Sequence, residues 1–139
     1  MLDLQGLTDD ELLSQVVEYA FQHEAHLVEL SWPVQTVYFI SNFEAEFYNG
    51  GIQQFLTNSA GRFAGETADS FARIGAPKLA SLLQEAAALQ LESTNSAAAL
   101  GGLNDELHAA YPTNEDGNVG DQLTAYLRQY PGGLLLGAD

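Results

Sequence analysis

Three groups of residues have the types that could carry chemistry. His23-Glu24-Ala25-His26 invites a metal reading, because imidazole and carboxylate are common zinc ligands. The helical metalloprotease motif, however, sets its two histidines four residues apart so that both meet on one face. Here the spacing is three, and the remaining histidine, His108, lies far along the chain. The segment is better read as the edge of an apolar face whose polar groups find hydrogen-bond partners, so no metal or other cofactor is expected. Glu44 and Glu46 are two carboxylates close in sequence. On a helix such a pair diverges by about 200° and cannot flank one substrate bond. A glutamate that braces a neighbouring helix fits them better. Gly50-Gly51 opens a helix, but helix precedes it and no lysine follows, which argues against an anion cradle. Cysteine is absent, and neither a nucleophile elbow nor a dinucleotide fingerprint occurs. No enzyme is expected.

The elements that would position these residues are helical throughout. Thr8-Asp9-Asp10-Glu11 is a capping box, with Thr8 as N-cap, Glu11 three residues on, and acids suited to the helix dipole. The helix it opens is expected to reach about Leu30, burying Leu13, Val16, Val17, Ala20, Leu27 and Val28. Ser31-Trp32-Pro33 breaks it, and Pro33 fits the first turn of a second helix ending near Tyr48. That helix is apolar nearly all round (Val34, Val37, Tyr38, Phe39, Ile40, Phe43, Phe47, Tyr48), which marks it as central and buried. Asn49-Gly50-Gly51 ends it, and a short helix follows from Ile52 to Asn58. Further helices are expected over Ala64–Ile74, ended by Gly75, and over Pro77–Leu91, with Leu79, Leu82, Leu83 and Ala86 inward. Residues 92–102 read as a loop rich in Ser, Asn, Ala and Gly. Asn104 then caps a helix to Tyr111, Pro112–Gly120 forms a polar turn, and Asp121–Tyr130 is a last helix. The expected architecture is all-α: a compact bundle of about six or seven helices around a buried central helix. Residues 1–139 form one domain with a short apolar tail over 131–139, where Leu134, Leu135 and Leu136 dock on the body.

Charge is the unusual feature. Nineteen acids face four lysines and arginines, for a net charge of −15 at pH 7, yet charged residues total only 17%. That share is below the usual figure of about 25%, so the acidity comes from missing cations. Residues 1–61 hold nine acids and no base; residues 62–91 hold three of each; residues 92–139 hold seven acids and one base. Such a chain repels nucleic acid and anionic membranes and attracts basic partners. It shows no apolar run of bilayer length and no cationic start of a signal peptide, so a cytoplasmic protein is expected. Depletion of lysine and arginine is also a device of salt-tolerant proteins, which offers a plainer source for the charge.

On one continuous first helix, Glu11, Gln15, Glu18, Gln22 and Glu29 fall in a narrow stripe opposite the apolar side. Glu11 to Glu18 would span about 10 Å and Glu18 to Glu29 about 16 Å. Phosphates on one DNA strand recur about every 3.4 Å along the axis, so this stripe alone is too sparse to copy a strand. Asp105, Glu106, Glu115, Asp116 and Asp121, or a second subunit, would have to supply further carboxylates. A solvated helix face is the plain alternative, but ordinary solvated faces mix signs, and sixty-one residues without a cation do not.

The stretch from Phe43 to Gly61 resembles the core motif of a family of small bacterial helical proteins named after a DNA-mimic member. Glu46, Asn49, Gly50, Gly51, Gln54, Phe55, Asn58, Ser59 and Gly61 match it, while Phe47, Ile52 and Leu56 replace one apolar residue by another. Ile74-Gly75-Ala76 with Leu79, Ala80 and Leu82 resembles the family's next helix pair, so the likeness covers about residues 30–130. It implies a compact helical fold, often a homodimer, whose named member presents acids as phosphate surrogates to a DNA-binding repressor. The motif, with Glu46 as a member, is read as structural: Asn49, Gly50 and Gly51 turn the chain, while Gln54 and Asn58 tie helix ends. The expected function is therefore a non-enzymatic acidic protein, a DNA mimic on the basic surface of a nucleic-acid-binding protein such as a transcription regulator. An immunity-type inhibitor of a toxin or nuclease, or a salt-adapted helical domain of another role, are the alternatives. Its binding face would comprise Glu11, Glu18, Glu29, Asp105, Glu106, Glu115, Asp116 and Asp121.

Overall fold

The computed structural model describes residues 6–58, 62–91, 96–111, 113–114 and 117–130. Helix α1 (Asp9–Gln22) starts with the capping box: the Thr8 hydroxyl accepts from the Glu11 N–H, and the Glu11 carboxylate accepts from the Thr8 N–H at 2.9 Å. It stops eight residues short of the expected Leu30. A 3-10 helix, Glu24–Glu29, follows, with His26 at φ −121°, ψ 34°. A tertiary bond competes with continuation, because the Tyr38 hydroxyl donates to the Glu24 carboxylate at 2.9 Å. The break changes which residues face inward. Leu12, Val16, Ala20 and Leu27 are buried, Leu13 and Val17 only half so, and Val28 points outward.

Helix α2 (Trp32–Thr57) is capped by Ser31 and carries Pro33 in its first turn. It is broken at Gly50 and Gly51, and Gly51 lies at φ 78°, ψ −172°, a region open essentially to glycine alone. The two halves thus correspond to the two helices read from the sequence. α2 packs against α1 and against every later helix, α3 (Ala64–Arg73), α4 (Pro77–Leu91), α5 (Ser96–Ala110) and α6 (Val119–Leu127). Phe43 is the hub: its ring stacks on Phe47 at 5.1 Å and meets Phe55 and Phe71 edge-on at 4.9 and 5.5 Å. All four are buried, so both halves of α2 and α3 converge on one aromatic cluster. Tyr48, expected inside, is exposed; it sits in the last turn before the break.

Gly75, at φ 91°, ends α3 with the Ala76 N–H donating to the Phe71 carbonyl at 2.8 Å, a left-handed cap. Gln122 of α6 donates to the Gly75 carbonyl at 2.9 Å and ties that turn to the last helix. Leu79, Leu82, Leu83 and Ala86 of α4 all face the core. The expected loop over residues 92–102 is corrected from Ser96 on, where α5 begins. Its alanines favour helix, and packing on α4 overrides the two glycines at 101–102. The polar turn before α6 contains a short antiparallel pairing, Thr113–Asn114 with Gly117–Asn118. Asn118 then caps α6, two residues earlier than expected, by accepting from the Asp121 N–H at 3.1 Å. Among the described residues, helices make up the whole of the regular structure apart from that pairing. Ser59, Gly61, Glu115, Asp116 and the 131–139 tail lie outside the described residues.

Candidate functional site

The acidic side chains divide by the elements that carry them. Glu11 and Glu18 are exposed on α1, where Glu18 accepts from Gln22 at 3.3 Å. Glu29 is exposed too, but on the 3-10 helix, where the His26 Nδ1–H donates to it at 3.1 Å. The stripe expected to run unbroken from Glu11 to Glu29 is therefore corrected: it ends with α1 at Gln22. Asp105 and Glu106 are exposed on α5, which packs on α4 and α2, and Asp121 is exposed in the first turn of α6.

α1 and α6 run side by side. Arg128, just past the end of α6, reaches the start of α1, donating to the Asp9 carboxylate at 2.9 Å and to the Leu7 carbonyl at 2.8 Å. At the other end a cavity of about 450 Å³ lies between α1, α2 and α6, lined by Leu13, Val17, Glu18, Glu44, Gly120 and Leu123 among others. The fold thus brings Glu18 and the start of α6, which carries Asp121, to one groove. The single cation of residues 92–139 is consumed at the opposite end.

Glu44 forms the deeper wall of that groove. Burial pushes its carboxyl above the usual carboxylate range, against the opposing effect of the Tyr111 hydroxyl, which donates to it at 3.0 Å. Burial, with the Glu44 charge adding, raises Tyr111 well above an ordinary phenol, and Tyr48 is raised the same way. Glu46 points elsewhere: it accepts from Gln54 at 3.3 Å and from the Asn58 amide, across the glycine break. Among the described residues the two glutamates bind different partners.

The motif's other residues bear on the backbone. Asn49 is exposed in the turn before the break. A Cβ on Gly50 would fall within 2.8 Å of three Gln54 side-chain atoms, and one on Gly51 would lie 2.8 Å from the Asn104 Oδ1. That oxygen accepts from the Ile52 N–H at 2.8 Å. Asn104 is therefore a cap, but for the second half of α2 and not for its own helix, as its sequence position had suggested. It sits inside α5, and only the tertiary fold brings it to Ile52.

The histidines do not gather. The His23 Nδ1–H donates to the Tyr19 carbonyl at 2.8 Å, His26 pairs with Glu29, and His108 stacks on Phe47 at 4.1 Å. Among the described residues no group of three or more metal-ligating side chains exists, and no helix is long and apolar enough to cross a membrane. A second surface had no sequence signal beyond a tryptophan at a helix start. Val28 and Trp32 are 87% and 63% exposed, and both line a groove of about 610 Å³ beside Arg62, Phe63 and Glu66.

No curated protein and no solved structure matches the chain. The family model described as DMP19-like protein matches residues 28–130, a span running from the 3-10 helix past the end of α6. This chain belongs to the DMP19-like protein family.

Proposed function

We propose that this protein is a non-enzymatic acidic binder, a DNA mimic that occupies the basic nucleic-acid-binding surface of a partner protein such as a transcription regulator. One observation carries the reading: exposed carboxylates at Glu11, Glu18, Glu29, Asp105, Glu106 and Asp121 in a chain with four lysines and arginines, one of them already paired with Asp9. Carboxylates fixed on helices take the place of phosphate contacts in a basic groove and displace the counterions that it gathers. Membership of a family named after a DNA mimic supports the same role. Glu115 and Asp116 complete the proposed face by sequence position.

Affinity capture on the immobilised protein, at low and then moderate salt, tests this. DNA-binding proteins released by salt and by competing duplex DNA are the expected result. Retention of a nuclease or toxin that resists both salt and DNA would replace mimicry with a shape-specific inhibitor built on an apolar centre.

A further inference from the structure

On α1, Leu13 and Val17 lie one turn apart, and Ser14 and Glu18 repeat that spacing beside them, so the helix carries an apolar row next to a polar one. On α2, Ser41 and Glu44, three residues apart, add a second polar pair. All six line the groove of about 450 Å³ that Gly120 and the buried Leu123 of α6 complete. Its walls therefore combine apolar surface, two hydroxyls and two carboxylates. None of the four lysines and arginines of the chain lies among them. The positive end of α6 reaches the groove through Gly120, but Asn118 caps that end and Asp121 stands in its first turn. Burial pushes the Glu44 carboxyl up, and its hydrogen-bond partner among the described residues is the neutral Tyr111 hydroxyl. A half-buried carboxylate with no cation beside it gains most from one that brings its own apolar stem.

We propose that the groove between α1, α2 and α6 seats an arginine side chain of the basic partner, with its stem along Leu13, Val17 and Leu123 and its guanidinium between Glu18 and Glu44. Arginine fits the lining better than lysine does. Its planar fork offers five donors to the two carboxylates and two hydroxyls, and a guanidinium is more weakly hydrated than an ammonium, so it enters a half-buried site at lower cost. The assignment rests on the reading of the protein as an acidic binder. It adds selection by shape, since an exposed carboxylate answers any cation whereas this groove distinguishes one cationic side chain from another.

The methyl groups of Leu13, Val17 and Leu123 report on the groove directly by NMR. The intact protein, labelled at its leucine and valine methyls, is titrated at low salt with a lysine-flanked peptide whose central residue is arginine. Relatives carry lysine there, which keeps the charge, or citrulline, which keeps the shape. The arginine peptide is expected to shift the three methyls and to bind about tenfold tighter than the lysine peptide, and the citrulline peptide to leave them in place. Glu44→Gln should abolish the preference for arginine over lysine, and Glu18→Gln, at an exposed position, should reduce it. Glu85→Gln removes the same charge from an exposed position on α4 and should preserve the preference. Equal binding of the arginine and lysine peptides with the three methyls unmoved would overturn the groove assignment and leave the acidic reading standing. Equal binding with equal methyl shifts would open the groove to any cation and overturn its assignment to arginine. A preference that survives both Glu44→Gln and Glu18→Gln would overturn the site. No binding of any of the peptides would instead remove the acidic reading itself. Methyl shifts that grow with protein concentration before peptide is added would give the groove to a second copy of the chain and overturn the occupant named here.

Discussion

Glu44 shows how one residue can be costly to the fold and still be held in place. Its carboxyl, pushed up by burial, keeps its proton to a higher pH in the folded protein than in the unfolded chain. Stability is then greatest below the ordinary carboxylate pKa and falls as pH rises through the window up to the raised folded value. Glu44→Gln is expected to be more stable than the parent near neutral pH, and the gain should vanish in acid; urea titrations at several pH values measure both. A glutamine variant less stable at neutral pH would mean that the Tyr111 bond outweighs burial. Tyr111→Phe removes that donor and leaves the half-buried carboxylate with one partner fewer, at a cost of about 1–3 kcal/mol in the same titrations. Phe43, fully buried at the meeting of four aromatic rings, is the larger stake: Phe43→Ala should lose about 3–5 kcal/mol. An unchanged melting temperature for that variant would displace Phe43 as the hub.

At the scale of elements, α2 holds because its break is held from outside. Gly51 adopts a backbone that side chains avoid, and Asn104, fifty-two residues beyond Ile52 in sequence, accepts from the Ile52 N–H just past the break. Gly51→Ala should cost about 1–3 kcal/mol in denaturant unfolding, and Asn104→Ala about 1 kcal/mol, the usual loss of a helix cap. If Asn104→Ala unfolded like the parent, the bond would be dispensable and the break would rest on glycine alone. Local signals explain why so much of the fold was legible. The Thr8–Glu11 box, Pro33, Gly75 and Pro77 mark helix ends through chemistry that acts within one turn. What was not legible depends on partners far along the chain. Nothing local at His23–Glu29 tells that Tyr38 will bind Glu24 and that the helix will tighten into a 3-10 turn. Likewise, nothing local to Asn104 says that it caps another helix, and its reading as an N-cap concealed the earlier start of α5 at Ser96.

The whole molecule is where charge belongs. The excess of acids was legible from composition because it depends on counts and not on conformation. The face that uses them was not, since a stripe drawn on one helix required that helix to continue. With α1 ending at Gln22, Glu11 and Glu18 share a helix beside α6, while Glu29 stands apart with His26. The sharpest test of the face therefore compares matched pairs of equal charge. Glu11→Gln with Glu18→Gln keeps an acceptor in the capping box, and exposed carboxylates contribute little to folding, so the melting temperature should move little. Affinity for a captured basic partner should fall, and the plot of log affinity against log salt should become shallower, because fewer ion contacts remain to release counterions. Asp69→Asn with Glu85→Gln removes the same charge from exposed positions on α3 and α4, in the charge-balanced middle of the chain, and should weaken binding less. Equal losses from the two pairs would mean that the field of the whole molecule, falling off over about 10 Å at ordinary salt, drives association without a defined face. No loss from the first pair would clear Glu11 and Glu18 of any part in binding and leave Glu29, Asp105, Glu106 and Asp121 as the carboxylates to test next.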